Sequence, residues 1–211
     1  MRAWAMADIA LPYFVSLPAA EPPWPGVVVI QEGNGMSAQL LRVCERLAAE
    51  GYATIAPDLF FRTGGPAGAD LRTMMGGLSA EQTGADIEHA AATLRSLGAA
   101  KLGITGFCNG GYWSWHMATT STTFSAAAGF YGSGIERELT EPNCPTTLFF
   151  GTDDEWISMA TIDQIGATHP DTVVYEGAQH GFMRDGSENF HETAAADAWQ
   201  RTLALFAAHL R

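Results

Sequence analysis

The chain has 211 residues, 47% of them apolar and 16% charged, enough apolar material for a sizeable core and too little charge for a disordered polymer. A formal net charge of −12 argues against nucleic acid and anionic lipid surfaces as partners. Three cysteines, Cys44, Cys108 and Cys144, are too few for a disulfide framework, Asp8 interrupts any signal-peptide core, and no stretch approaches the ~18 apolar residues of a membrane span. The expectation is one domain over 1–211, cytoplasmic and without membrane contact.

An opening strand precedes a proline-rich joint at 18–25, and the β-branched run 27–30 then reads as a strand buried on both faces. Ser37 can cap a helix to about Glu50, with Leu40, Leu41, Cys44, Leu47 and Ala48 at helical spacing and Gly51 as the stop. Cys44 should therefore point into the core. A strand at 52–56, a Gly/Pro-rich loop at 62–70 and helical stretches to about Leu97 follow. Further strands are predicted at 101–107, 126–131, 147–150 and 173–175, with helices at 109–119, 158–166 and 191–210. Strands alternating with helices imply crossover connections, and a mainly parallel sheet binds its ligands beyond the carboxyl ends of its strands.

One such end carries Gly106-Phe107-Cys108-Asn109-Gly110-Gly111, which fits Gly-x-Nuc-x-Gly with cysteine as nucleophile. The tight turn excludes side chains two positions either side of Cys108 and pushes the thiol out at a helix amino terminus, where the dipole favours thiolate and the Asn109 N–H can hold an oxyanion. The plain alternative is a Gly-rich turn with an inert buried cysteine. Two later strand ends carry Asp153-Asp154 and His180, giving the chain order nucleophile, acid, base of α/β-hydrolase triads. His180 would take the thiol proton and return one to the leaving group, and either Asp153 or Asp154 could orient it.

These residues resemble the dienelactone hydrolases, cysteine-dependent members of the α/β-hydrolase fold. The likeness spans most of the chain: 28–33 ending in Gln-Glu, GYATIAPDLF at 51–60, the elbow at 106–111, and the acid and base loops at 151–154 and 177–182. It implies a single mainly parallel sheet of about seven or eight strands with helices on both faces and no large lid domain. It makes Asp154 the triad acid, gives Glu32 contact with the resting Cys108, makes Gly33 N–H the second oxyanion donor beside Asn109, and has Arg184 bind a substrate carboxylate. Arg184 could instead pair with Asp185 or Glu188. Tyr131 matches a position near the family's pocket, and Trp113 opens the elbow helix as a pocket-wall residue. Arg72 stands near the family's other carboxylate-binding arginine but out of register.

The six histidines show no metal-ligand spacing and no phosphate-binding loop is present, so neither metal nor cofactor is expected. His116 reads as packed or hydrogen-bonded. The expected activity is hydrolysis of a small ester or lactone through an acyl-cysteine, by a monomer or small homo-oligomer. A broad carboxylesterase and a non-catalytic small-molecule binding module are the alternatives.

Overall fold

The computed structural model describes residues 11–63 and 71–211. Seven strands form one sheet: β1 (Tyr13–Ser16), β2 (Trp24–Ile30), β3 (Ala53–Pro57), β4 (Ala99–Phe107), β5 (Ala126–Phe130), β6 (Thr146–Gly151) and β7 (Thr172–Tyr175), in the order β1-β3-β2-β4-β5-β6-β7. Only β1 runs antiparallel, paired with β3; the other pairings are parallel, as crossover helices require. The helices are α1 (Ala38–Ala49), α2 (Leu71–Gly76), α3 (Ala80–Ser96), α4 (Asn109–Thr120), α5 (Met159–Thr168) and α6 (Glu192–Leu210).

The alternation of β2 explains the two-sided core. Val27 and Val29 point into the cluster that α1 fills with Leu40, Val43, Cys44 and Leu47 and α6 with Trp199 and Phe206. Val28 and Ile30 point the other way, against Ile87, Ala90, Ala91 and Leu94 of α3. Cys44 is fully buried, as its helical position requires, and burial pushes its thiol up to about 12, which disfavours the nucleophilic thiolate. The Ser37 hydroxyl caps α1 by accepting from Leu40 N–H at 3.3 Å.

The proline-rich joint is shorter than its composition suggests. β2 begins at Trp24 and passes through Pro25, because a register shift between Trp24 and Gly26 places the proline where the ladder to β4 needs no N–H. Residues 61–63 form a short 3-10 turn; 64–70 and the Arg72 side chain lie outside the described residues. After β5 the chain makes another short 3-10 turn at Ile135–Arg137 before β6, with no lid domain there. Among the described residues, no helix is long and apolar enough to cross a membrane.

Candidate active site

Cys108 sits between β4 and α4 with φ 54° and ψ −117°, a conformation that L side chains rarely adopt. The neighbouring glycines permit it. A Cβ on Gly106 would collide with the Gly110 carbonyl, and one on Gly110 with the carbonyl of Ile30 in the adjacent strand. Cys108 N–H donates to Phe130 O of β5 at 3.0 Å, so both neighbouring strands grip the turn. Cys108 is 8% exposed and lines a cavity of about 240 Å³ together with Glu32, Gly33, His180 and Arg184. Neither Asn109 N–H nor Gly33 N–H donates to a backbone acceptor among the described residues.

His180 follows β7, and its Nδ1 lies 2.8 Å from Asp154 Oδ2 on the loop after β6. The pair is buried, with side-chain exposures of 7% and 0%. Asp154 Oδ1 accepts the main-chain N–H groups of Trp156 at 2.8 Å and Ile157 at 3.1 Å, which fixes the carboxylate. Asp153 is exposed and takes the Thr152 hydroxyl at 2.9 Å. His180 Nε2 is buried and has no hydrogen-bond partner among the described residues. Burial opposes the charged ring, but the Asp154 hydrogen bond and the Cys108 sulfur beside it outweigh burial and raise His180 from its ordinary 6.5 to about 9.

Glu32, at the end of β2, is 6% exposed. Its Oε1 accepts the Tyr131 hydroxyl at 3.1 Å, and its Oε2 accepts Arg184 Nε at 3.0 Å and Nη2 at 2.9 Å. No hydrogen bond joins Glu32 to Cys108, although both line the same cavity. Burial alone would lower the Arg184 guanidinium; the Glu32 carboxylate reverses this and holds it above its ordinary value. Gly181, with φ +82°, lets the guanidinium fold back, since a Cβ there would press on it. Tyr131 is fully buried behind Glu32, and burial with that carboxylate pushes its phenol well above the ordinary range.

Trp113 departs from expectation. It is 4% exposed and packs in the α3 side of the core, where the helical phase of α4 turns it away from the cavity at Cys108. His116 is hydrogen-bonded, with Nδ1 2.8 Å from Glu138.

The dienelactone hydrolase family model matches residues 11–210. The chain belongs to the dienelactone hydrolase family. It is 34% identical to the "Putative carboxymethylenebutenolidase" of Salmonella typhimurium, over 92% of this chain and 81% of that one. It is 33% identical to a Synechocystis protein of the same name, over 94% and 92%. A solved structure, "Putative Dienelactone Hydrolase from Klebsiella pneumoniae subsp. pneumoniae", superposes with a TM-score of 0.89 at 32% identity, covering 94% of this chain and 93% of its own. With its single, mainly parallel sheet, the chain is therefore a dienelactone hydrolase-family hydrolase with the α/β-hydrolase fold.

Three residues at this site escaped the sequence reading. Glu155 and Trp156 line the cavity from the acid loop, and Asn189 lines it while donating Nδ2 to His180 O at 2.8 Å. A tryptophan two positions after the acid, in the polar run Asp-Asp-Glu-Trp, is a readable oddity; no sequence signal marks Asn189. A larger cavity of about 650 Å³ lies between α1 and α6, and among the described residues no cysteine or histidine lines it.

Proposed function

We propose that this hydrolase cleaves a small ester or lactone through a Cys108-His180-Asp154 triad with an acyl-cysteine intermediate. One observation carries the reading: His180 is tied to Asp154 through Nδ1, while its free Nε2 and Cys108 share one small cavity. The working state in this reading is a thiolate and imidazolium pair, the imidazolium favoured by the Asp154 hydrogen bond and the neighbouring sulfur, which outweigh burial. The thiolate attacks the ester carbonyl carbon, and the C–S bond forms as the carbonyl electrons move onto oxygen, where the N–H groups of Asn109 and Gly33 are free to receive them. On collapse the C–O bond breaks and the leaving oxygen takes the proton of His180 Nε2. His180 then deprotonates a water that attacks the thioester, giving the carboxylic acid and returning the thiolate and imidazolium. Asp154 remains a carboxylate throughout and holds the imidazole orientation.

Arg184, which lines the cavity, would meet a substrate carboxylate, and because Glu32 holds it an anionic substrate would compete with Glu32 for it. Neutral esters lack that lever, which favours a carboxylated lactone over the carboxylesterase alternative.

The test compares wild type, Cys108→Ala and Cys108→Ser on a panel of carboxylated lactones and phenyl acetate, with mass spectrometry of the quenched enzyme. The expected result is an acyl adduct on Cys108 in wild type and loss of turnover in both variants by about 10³-fold or more. Lactone turnover that survives Cys108→Ala removes the mechanism, and ligand binding with no turnover by wild type favours the binding module.

A further inference from the structure

Among the described residues lining the cavity, Trp156 is the one large aromatic open to solvent, 55% exposed. A single exposed aromatic is ordinary by itself, but this one is pinned in place beside the cavity. Its main-chain N–H is fixed by Asp154 Oδ1 at 2.8 Å, and its indole Nε1 donates to Glu155 Oε1 at 3.2 Å. The indole lies parallel to the His180 imidazole, with centroids 5.0 Å apart and an interplanar angle of 14°. Tyr131 meets the same imidazole edge-on at 5.0 Å and 61°, so His180 contacts two aromatic rings, of which Tyr131 is buried and Trp156 exposed. One indole face is covered by the imidazole, leaving the opposite face and an edge for a ligand.

We propose that Trp156 determines specificity by stacking on a planar aryl or conjugated leaving group. The inference rests on the triad reading in one respect: the leaving oxygen takes its proton from His180, so the group attached to that oxygen lies beside the ring on which Trp156 stacks. A flat π surface pinned there attracts a flat π ligand through offset stacking, which a puckered saturated ring of the same size cannot match. Nε1 is already satisfied by Glu155, so the indole offers area and π density with no polar demand. Its Nε1 partner, Glu155, adds a negative charge at the rim, so the leaving group it favours is neutral, while any substrate anion belongs on the Arg184 side.

Phenyl acetate and cyclohexyl acetate isolate the effect, being alike in size and unlike in planarity. Binding is measured by calorimetry to Cys108→Ala, alone and combined with Trp156→Ala or Trp156→Phe, and kcat/KM is measured for the same Trp156 changes in the wild-type background. With Trp156 present, phenyl acetate should bind about threefold to tenfold more tightly than cyclohexyl acetate. Trp156→Ala should abolish that preference, chiefly by weakening phenyl acetate, and Trp156→Phe should restore most of it. In turnover the same loss should appear mainly in KM for phenyl acetate, with kcat changed less. Equal weakening of both esters, or a preference that survives Trp156→Ala, overturns the proposal, because a merely structural Trp156 would disturb both alike. Absence of turnover with the binding preference intact would instead count against the triad reading alone.

Discussion

Two histidines in this molecule carry the same local pairing, and of the two only His180 lines the cavity at Cys108. His180 meets Asp154 and His116 meets Glu138, each through Nδ1 at 2.8 Å. Asp154 is sealed and receives two main-chain N–H groups, so it is a fixed carboxylate inside a low-dielectric wall. Glu138 is 35% exposed on its side chain and shares its other oxygen with the Tyr112 hydroxyl at 2.7 Å, making it a surface tie between α4 and the turn after β5. A buried Nε2 with an unpaired sulfur for a neighbour is what the second pair lacks among the described residues. A carboxylate and histidine contact is thus no sign of catalysis until the far nitrogen and the cavity are accounted for.

The strongest way to break this contrast is to delete each histidine in turn. His180→Ala should lower kcat/KM on lactones by about 10³-fold or more, whereas His116→Ala should change it by less than about twofold. Comparable losses would mean that the two pairs are not functionally distinct.

Asp154→Asn should cost about 10²- to 10⁴-fold and should also move the pH profile. In wild type, kcat/KM should fall as pH rises through about 9, where the imidazolium that supplies the leaving-group proton is lost. Without the carboxylate, burial disfavours the charged ring, and this alkaline limb should shift toward acid; a limb that stays in place assigns it to another group. The same shift is linked to folding. His180 holds its proton more strongly folded than unfolded, so its contribution to stability is full below about pH 6.5 and disappears as pH rises through about 9.

A smaller effect separates the two sides of the cavity. Arg184→Ala should raise KM for carboxylated lactones by about tenfold and leave neutral esters within about twofold, the magnitude expected for one charge-assisted contact. Equal losses would show that Arg184 serves Glu32 and not the substrate.

Glu138→Gln should have the smallest effect. Tyr112 and His116 outweigh the burial that would otherwise raise the Glu138 carboxyl, and hold it below its ordinary value. Because the side chain is 35% exposed, water screens much of that gain, and the variant should lose about 1 kcal/mol or less, a Tm drop of about 2–4 °C with kcat unchanged.

Much of this could be read in the sequence because it is local. The β-branched run of β2, the Ser37 cap and the glycines around Cys108 each act within a few residues, and each is where its pattern requires. The choice between Asp153 and Asp154 is not local: it depends on which carboxylate turns inward across to His180, 26 positions away. The Glu32–Arg184 contact spans 152 positions, and nothing near Arg184 distinguishes that partner from Asp185 or Glu188. Trp113 misled for a related reason, since its neighbours in sequence surround the elbow while the phase of α4 directs its ring into the α3 side of the core.

The stretch from His180 to His191 is stitched at several points: Asn189 to the His180 carbonyl, His191 N–H to the Phe182 carbonyl, and Gln39 of α1 to the Met183 carbonyl. His180 and Arg184 therefore ride on one hydrogen-bonded span, and a change that retunes the cation risks dislodging the imidazole with it. Glu155 and Trp156, whose exposed side chains leave the inward turn of Asp154 undisturbed, are the freer ground on which descendants of this chain could acquire new preferences without rebuilding their machinery.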